Sequence, residues 1–65
     1  MNWHQIKTNW KQARSKLRIR WPRLTEEDLD QIDGRDTELI GLLQQRYGIS
    51  KEIAENEIRE FGAGA

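Results

Sequence analysis

The chain has 65 residues, 35% of them hydrophobic and 34% charged, with one histidine and no cysteine, and its mean hydropathy is −0.95. That length allows one domain near the lower size at which a chain folds unaided, burying only about 60% of its unfolded surface. Disulfides and thiolate metal sites are excluded, and no apolar run approaches the roughly 20 residues of a membrane span.

The net charge of zero hides an asymmetry. Residues 1–25 carry seven cations and no acid, whereas residues 26–65 carry four cations and all 11 acids, so the two parts hold +7 and −7. Such a split suits an anionic partner for the first part, or attraction between the parts within the fold.

The spacing predicts a first helix over residues 3–21. Asn2 and Gln5 have the arrangement of a capping box. Trp3, Ile6, Trp10, Ala13, Leu17 and Trp21 then recur at intervals of three and four, which keeps one face apolar. Pro22 ends it, because proline lacks an N–H and disfavours helix at the residue before it. Thr25 caps a second helix, with Glu26, Glu27 and Asp28 in the first turn where the dipole favours acids. Leu24 and Leu29 have the spacing of a hydrophobic staple, and this short helix, which carries Ile32, ends near Asp33-Gly34.

A third helix is expected from about Arg35 to Tyr47, with Leu39, Ile40, Leu42, Leu43 and Tyr47 on its apolar side. Gly41 within it costs about 1 kcal/mol against alanine, which suggests a close helix crossing there. Gly48 ends the helix in the usual C-terminal position, with Ile49 packing back on the last turn. Ser50 caps a fourth helix carrying Ile53, Ala54, Ile58 and Phe61, and Gly62-Ala63-Gly64-Ala65 is expected to fray. The fold class is therefore all-α: one domain over residues 1–61 and a flexible tail over residues 62–65. Its expected core is Trp3, Ile6, Trp10, Leu17, Leu29, Leu39, Leu43, Ile53, Ile58 and Phe61.

Met1-Asn2-Trp3-His4-Gln5-Ile6-Lys7, Asn9-Trp10-Lys11-Gln12, Leu24-Thr25-Glu26-Glu27-Asp28-Leu29 and Gln45-Arg46-Tyr47-Gly48-Ile49-Ser50-Lys51 occur in this order. Together they resemble the CsbD-like family of small bacterial stress-response proteins, over nearly the whole chain from Asn2 to Phe61. The resemblance implies a compact bundle of about four short helices, as two helical hairpins packed across each other. It also implies bacterial, cytoplasmic expression linked to general or osmotic stress, and it carries over no catalytic residue. The chain departs from the family pattern at Thr8, Ser15 and Pro22, where glycine is frequent. The first helix also lacks the acids that usually alternate with its lysines.

The basic first helix is the leading functional candidate. Lys7, Lys11, Arg14 and Arg18 form one stripe beside the apolar face, and Lys16 and Arg20 lie on its other side. Cations flanking an apolar stripe suit an anionic bilayer or a phosphate backbone. The competing reading packs the apolar stripe into the core and pairs the cations with acids of the second part, and it is the one that three tryptophans in so small a core favour. The three-four spacing could also form an intermolecular seam, but it is too short to be favoured over internal packing.

The other patterns are less specific. Gly48-Ile49-Ser50 resembles a helix-hairpin-helix loop with serine where glycine is needed, and is better read as a C-cap followed by an N-cap. Asp28, Asp30 and Asp33 miss calcium-loop spacing by one residue. Glu52, Glu55, Glu57 and Glu60 spread around their helix as a solvated surface. His4 stands alone, and Ser15 and Ser50 have no base to activate them.

The expected protein is thus a non-enzymatic monomer without cofactor, metal or small-molecule substrate. Weak nucleic-acid or anionic-lipid binding through Lys7, Lys11, Arg14, Lys16, Arg18 and Arg20 is one alternative, and a structural or protein-interaction role is the other. The N-terminal segment lacks the layout of a secretory signal, so the cytoplasm is the expected compartment.

Overall fold

The computed structural model describes residues 3–64, which form five helices: α1 (Trp3–Thr8), α2 (Trp10–Arg20), α3 (Glu26–Ile32), α4 (Asp36–Tyr47) and α5 (Lys51–Gly64). Among the described residues there is no strand. α4 is the central element, packed against both α3 and α5, while α1 also lies on α5.

The expected first helix is two. Asn9, with φ −107° and ψ 47°, leaves the helical region between α1 and α2. One residue earlier the Thr8 hydroxyl donates to the His4 carbonyl at 2.8 Å, a side-chain bond of the kind that bends helices. The bend lets α1 dock on the turn between α3 and α4. There the Trp3 indole N–H donates to the Gly34 carbonyl at 3.0 Å, and Ile6 is fully buried. Gly34 has φ +79°, and a Cβ on it would come within 3.2 Å of Lys7 Cγ. Glycine is required there by backbone conformation and by the close approach of α1. Trp3 also meets Trp10 across the bend, ring centroids 6.5 Å apart. The expected cap at Asn2 lies outside the described residues.

α2 ends as the proline requires. Trp21 is its C-cap, with an extended ψ of 81° and its N–H on the Leu17 carbonyl. Its indole is 1% exposed, packs on Phe61 with centroids 5.3 Å apart, and donates to Glu57 Oε1 at 3.2 Å. The chain then turns into α3 through Leu24, which is also buried.

The start of α3 joins a cap to a tertiary ion pair. Thr25 Oγ1 accepts from the Asp28 N–H, and Asp28 Oδ2 accepts from the Thr25 N–H, both at 3.1 Å, closing a capping box. The same carboxylate receives Arg46 of α4 as a fork, Nε to Oδ2 at 3.0 Å and Nη2 to Oδ1 at 2.9 Å. Asp28 is 3% exposed, yet both of its oxygens are satisfied, as a buried charge must be. Arg46 beside it, together with the Thr25 N–H, holds the Asp28 carboxyl below the usual carboxylate range against the opposing effect of burial. α3 closes at Asp33, a non-glycine residue in the left-handed region at φ 43°, and α4 at Gly48, with φ 63°. The Ser50 hydroxyl accepts from the Ile53 N–H at 3.2 Å, capping α5 as expected.

Four expectations need correction. Ile53 is 50% exposed, because the buried stripe of α5 runs through Ala54, Ile58 and Gly62, about 100° round the helix from it. Trp3, Trp10 and Phe61 border the core instead of lying within it, and Trp21, Leu24, Ile32, Leu42 and Ala54 are core members instead. A Cβ on Gly41 would meet nothing within 4 Å, so no helix crosses there. Residues 62–64, expected as a tail, continue α5.

Because Gly41 faces open space in a helix interior, Gly41→Ala raises unfolding stability by about 0.5–1 kcal/mol, measured by urea denaturation. Gly48→Ala, forced into the left-handed region, lowers it by about 1 kcal/mol in the same assay. The depressed Asp28 carboxyl sets a pH dependence. Its contribution is complete above the ordinary carboxylate pKa of about 4 and is lost as pH falls through the lower folded value. Urea midpoints are therefore expected to hold between about pH 7 and pH 5 and to drop below about pH 4, with a lower plateau and a shallower acid-side drop in Asp28→Asn.

Candidate anion-binding surface

The six cations of the candidate surface do not share one environment. Arg14 and Arg18 stand one turn apart on α2 and face α3. Arg14 Nη2 lies 2.8 Å from Glu26 Oε2 and 3.0 Å from Asp30 Oδ1, while Arg18 Nη1 contacts the other Glu26 oxygen. Glu26 is therefore gripped on both oxygens by two guanidiniums. The hydrogen bond from Arg14, then that from Arg18, lowers its pKa, and Glu26 and Asp30 in turn raise that of Arg14. Arg20, at the end of α2, reaches across to α5, where its Nη2 lies 3.1 Å from Glu57 Oε1. Its guanidinium also lies 5.1 Å from the centre of the Trp21 ring.

The three lysines behave differently. Lys7 lays its aliphatic stem along Gly34 while remaining exposed, and Lys11 and Lys16 are exposed on α2. None of the three forms an ion pair with a described residue. Lys11 and Lys16 are five positions apart, about 140° around the helix, so they point to different sides. Of the six cations, the three arginines are thus engaged by carboxylates of the same chain, while Lys11 and Lys16 lie on different sides of α2, as their spacing had set them.

Lys11, Arg14, Ser15, Arg18, Glu26 and Leu29 line a shallow groove of about 350 Å³ between α2 and α3. Ser15 is the one hydroxyl in it. The neighbouring carboxylate, Glu26, has its proton affinity lowered by two arginines, which makes it a weak general base. The hydroxyls of Thr8, Thr25 and Ser50 are each bonded to backbone. Among the described residues no group of three or more His, Cys, Asp or Glu side chains is placed to hold a metal ion. No described helix is long and apolar enough to cross a membrane.

Sequence reasoning missed the contacts of Asp28, Arg23 and Glu57 that organise this region. The Asp28 side of the capping box was legible as Thr25-x-x-Asp28, but its pairing with Arg46, 18 residues on, was not. Arg23, counted only as a cation, donates from Nη1 to the Arg46 carbonyl at 3.1 Å, and its N–H donates to the Tyr47 hydroxyl at 3.1 Å. Its guanidinium lies 5.6 Å from the centre of the Tyr47 ring. Glu57, read as part of a solvated surface, receives both Arg20 and the Trp21 indole on one oxygen.

No protein-family model matches the chain, and no solved structure matches it. Among curated proteins it is similar to UPF0337 protein PA4738 of Pseudomonas aeruginosa, 51% identical over 61 residues that cover 94% of each chain. It is similar to UPF0337 protein ECA0631 of Pectobacterium atrosepticum at 43% identity, covering 94% of this chain and 88% of that one. UPF0337 protein YjbJ of Escherichia coli is 40% identical with the same coverage. At these identities over nearly the full length of both partners, the chain belongs to the UPF0337 family, which is the CsbD-like family.

Proposed function

We propose that this protein is a non-enzymatic, cytoplasmic stress-response domain that works through its surface as a structural or protein-interaction module. In this reading the cationic first part serves chiefly as an internal electrostatic clamp. The observation that carries it is the engagement of Arg14, Arg18 and Arg20 by Glu26, Asp30 and Glu57 of the same chain. Three of the six cations of the candidate surface are thereby turned inward to the acidic part. A guanidinium already paired has less to gain from a phosphate, because the partner carboxylate must be displaced and then repels the incoming anion. The stress-response part rests on the family resemblance and family membership.

A second reading, weak binding of nucleic acid or anionic lipid, is left with Lys7, Lys11 and Lys16. Their spread over different faces favours diffuse attraction over a defined site.

Tryptophan-fluorescence titration with duplex DNA and, separately, anionic vesicles discriminates the two. No saturable binding is expected at near-physiological salt. Glu26→Gln combined with Asp30→Asn, which removes the carboxylates that hold Arg14 and Arg18, is expected to gain salt-sensitive DNA affinity that the parent lacks. Tight binding by the parent, with a log–log salt slope of about −0.9 per contacted phosphate that shrinks in Lys11→Gln and Lys16→Gln, would overturn the clamp reading. Protein abundance is expected to rise after an osmotic upshift, and a flat response would remove the stress-response part.

A further inference from the structure

No glycine or proline stands among residues 1–20, and the three-four row of Trp3, Ile6, Trp10, Ala13 and Leu17 runs through Asn9 without a break. The Thr8 hydroxyl bond bends a helix without ending it, so nothing local stops the helix at Asn9. The backbone departs from a helix only slightly. The Asn9 N–H still donates to the Gln5 carbonyl and the Ala13 N–H to the Asn9 carbonyl, both at 3.0 Å, while the Gln12 N–H takes the Asn9 carbonyl at 3.1 Å. A straight helix gives the N–H groups of Trp10, Lys11 and Gln12 the carbonyls of Ile6, Lys7 and Thr8 instead. The break is therefore held from outside the helix. The Trp3 indole is on the Gly34 carbonyl, Ile6 is buried and the Lys7 stem lies on Gly34. Ile6 is the one buried residue of α1, and it stands outside the buried cluster that joins α2, α3, α4 and α5.

We propose that α1 is a hinged strap, which undocks from the Gly34 turn as a unit while α2–α5 stay packed, and straightens about Asn9 into one helix with α2. Undocking leaves the central core intact, because no α1 residue belongs to that cluster and Trp3 only borders it. Straightening is what keeps the freed segment helical. A detached helix of six residues is far too short to hold itself, but one that continues α2 adds turns to an existing helix without a new nucleus. The docked form predominates, because the straight one returns Ile6 and the Trp3 indole to water. The straight form turns Trp3 and Ile6 to solvent beside Lys7, on a segment that holds no acid. Docking keeps Ile6 out of water, so the hinge at Asn9 governs when this apolar and cationic segment is exposed.

The strap is separate from the electrostatic clamp, since the DNA and vesicle titrations read the pairing of Arg14 and Arg18, which undocking of α1 does not involve. The chain has no cysteine, so pairs of introduced cysteines in the full chain take spin labels for distance measurement. His4→Cys with Asp36→Cys joins α1 to the start of α4 and reads undocking. His4→Cys with Lys16→Cys joins α1 to α2 across twelve positions, which a straight helix sets about 18 Å apart along its axis. All three sites are exposed. Gly34→Ala loosens the strap from the receiving side by placing a Cβ against Lys7 Cγ, and Trp3→Phe removes the indole N–H while keeping a ring. Each is expected to raise the population with the longer His4–Asp36 distance about fivefold over the parent, the effect of losing one hydrogen bond. In that population the His4–Lys16 distance narrows to the straight-helix value. Cooperative urea unfolding checks that α2–α5 stay folded, and Trp3→Phe decides where Gly34→Ala does not fold. An unchanged His4–Asp36 distance in the folded variants overturns the strap. A longer one with a broad His4–Lys16 distribution shows α1 melting instead of straightening, and overturns it equally.

Discussion

The carboxylate of Asp28 is the point on which the arrangement of helices depends. A carboxylate that is 3% exposed is tolerable only when its charge and lone pairs are met, and here two different requirements meet on it. As the third residue of α3 it reaches back to the Thr25 N–H, a local duty that starts the helix. As an ion it needs a cation, and Arg46 provides a planar fork from the last turn of α4. A guanidinium fork admits few geometries, so the start of α3 and the end of α4 are set against each other at a defined angle. Arg23 then binds the carbonyl of that same Arg46, which brings the α2–α3 connection onto the same corner.

A second tie works at the C-terminal end of α2 itself. Pro22 forces Trp21 out of the helix, and the released indole inserts against Phe61 while its N–H joins Arg20 on Glu57. One glutamate of α5 therefore holds both a cation and the polar edge of the most buried aromatic ring. Further back along the helix, Glu26 and Asp30 hold the middle of α2 through Arg14 and Arg18. Exposed ion pairs of this kind contribute little one at a time. Their consequence is for the surface: they engage Arg14, Arg18 and Arg20 within the chain.

The elements that rest on local chemistry were readable in advance. Thr25, Ser50, Pro22, Asp33-Gly34 and Gly48 act within a few residues of themselves through caps, a missing N–H or a positive φ, and each stands where the pattern placed it. The helical class followed from three-four spacing, and the division of charge followed from counting. The bend at Asn9 was hidden because the apolar spacing runs through it unbroken. Gly41 misled because a helix-interior glycine is compatible with a close crossing and equally with open solvent, and only the position of the neighbouring helices separates the two.

The sequence by itself determined the helical class, most helix boundaries, the caps and the +7 and −7 parts, because each arises from interactions between near neighbours or from composition alone. Tertiary structure decided which cations meet which acids, that Trp21 is core while Ile53 is surface, and that α1 turns back onto Gly34. Those outcomes depend on pairings such as Arg46 with Asp28 and Arg20 with Glu57, 18 and 37 residues apart. A helical repeat shows which side of each helix is apolar, but not which partner that side meets or which charge is carried to its edge.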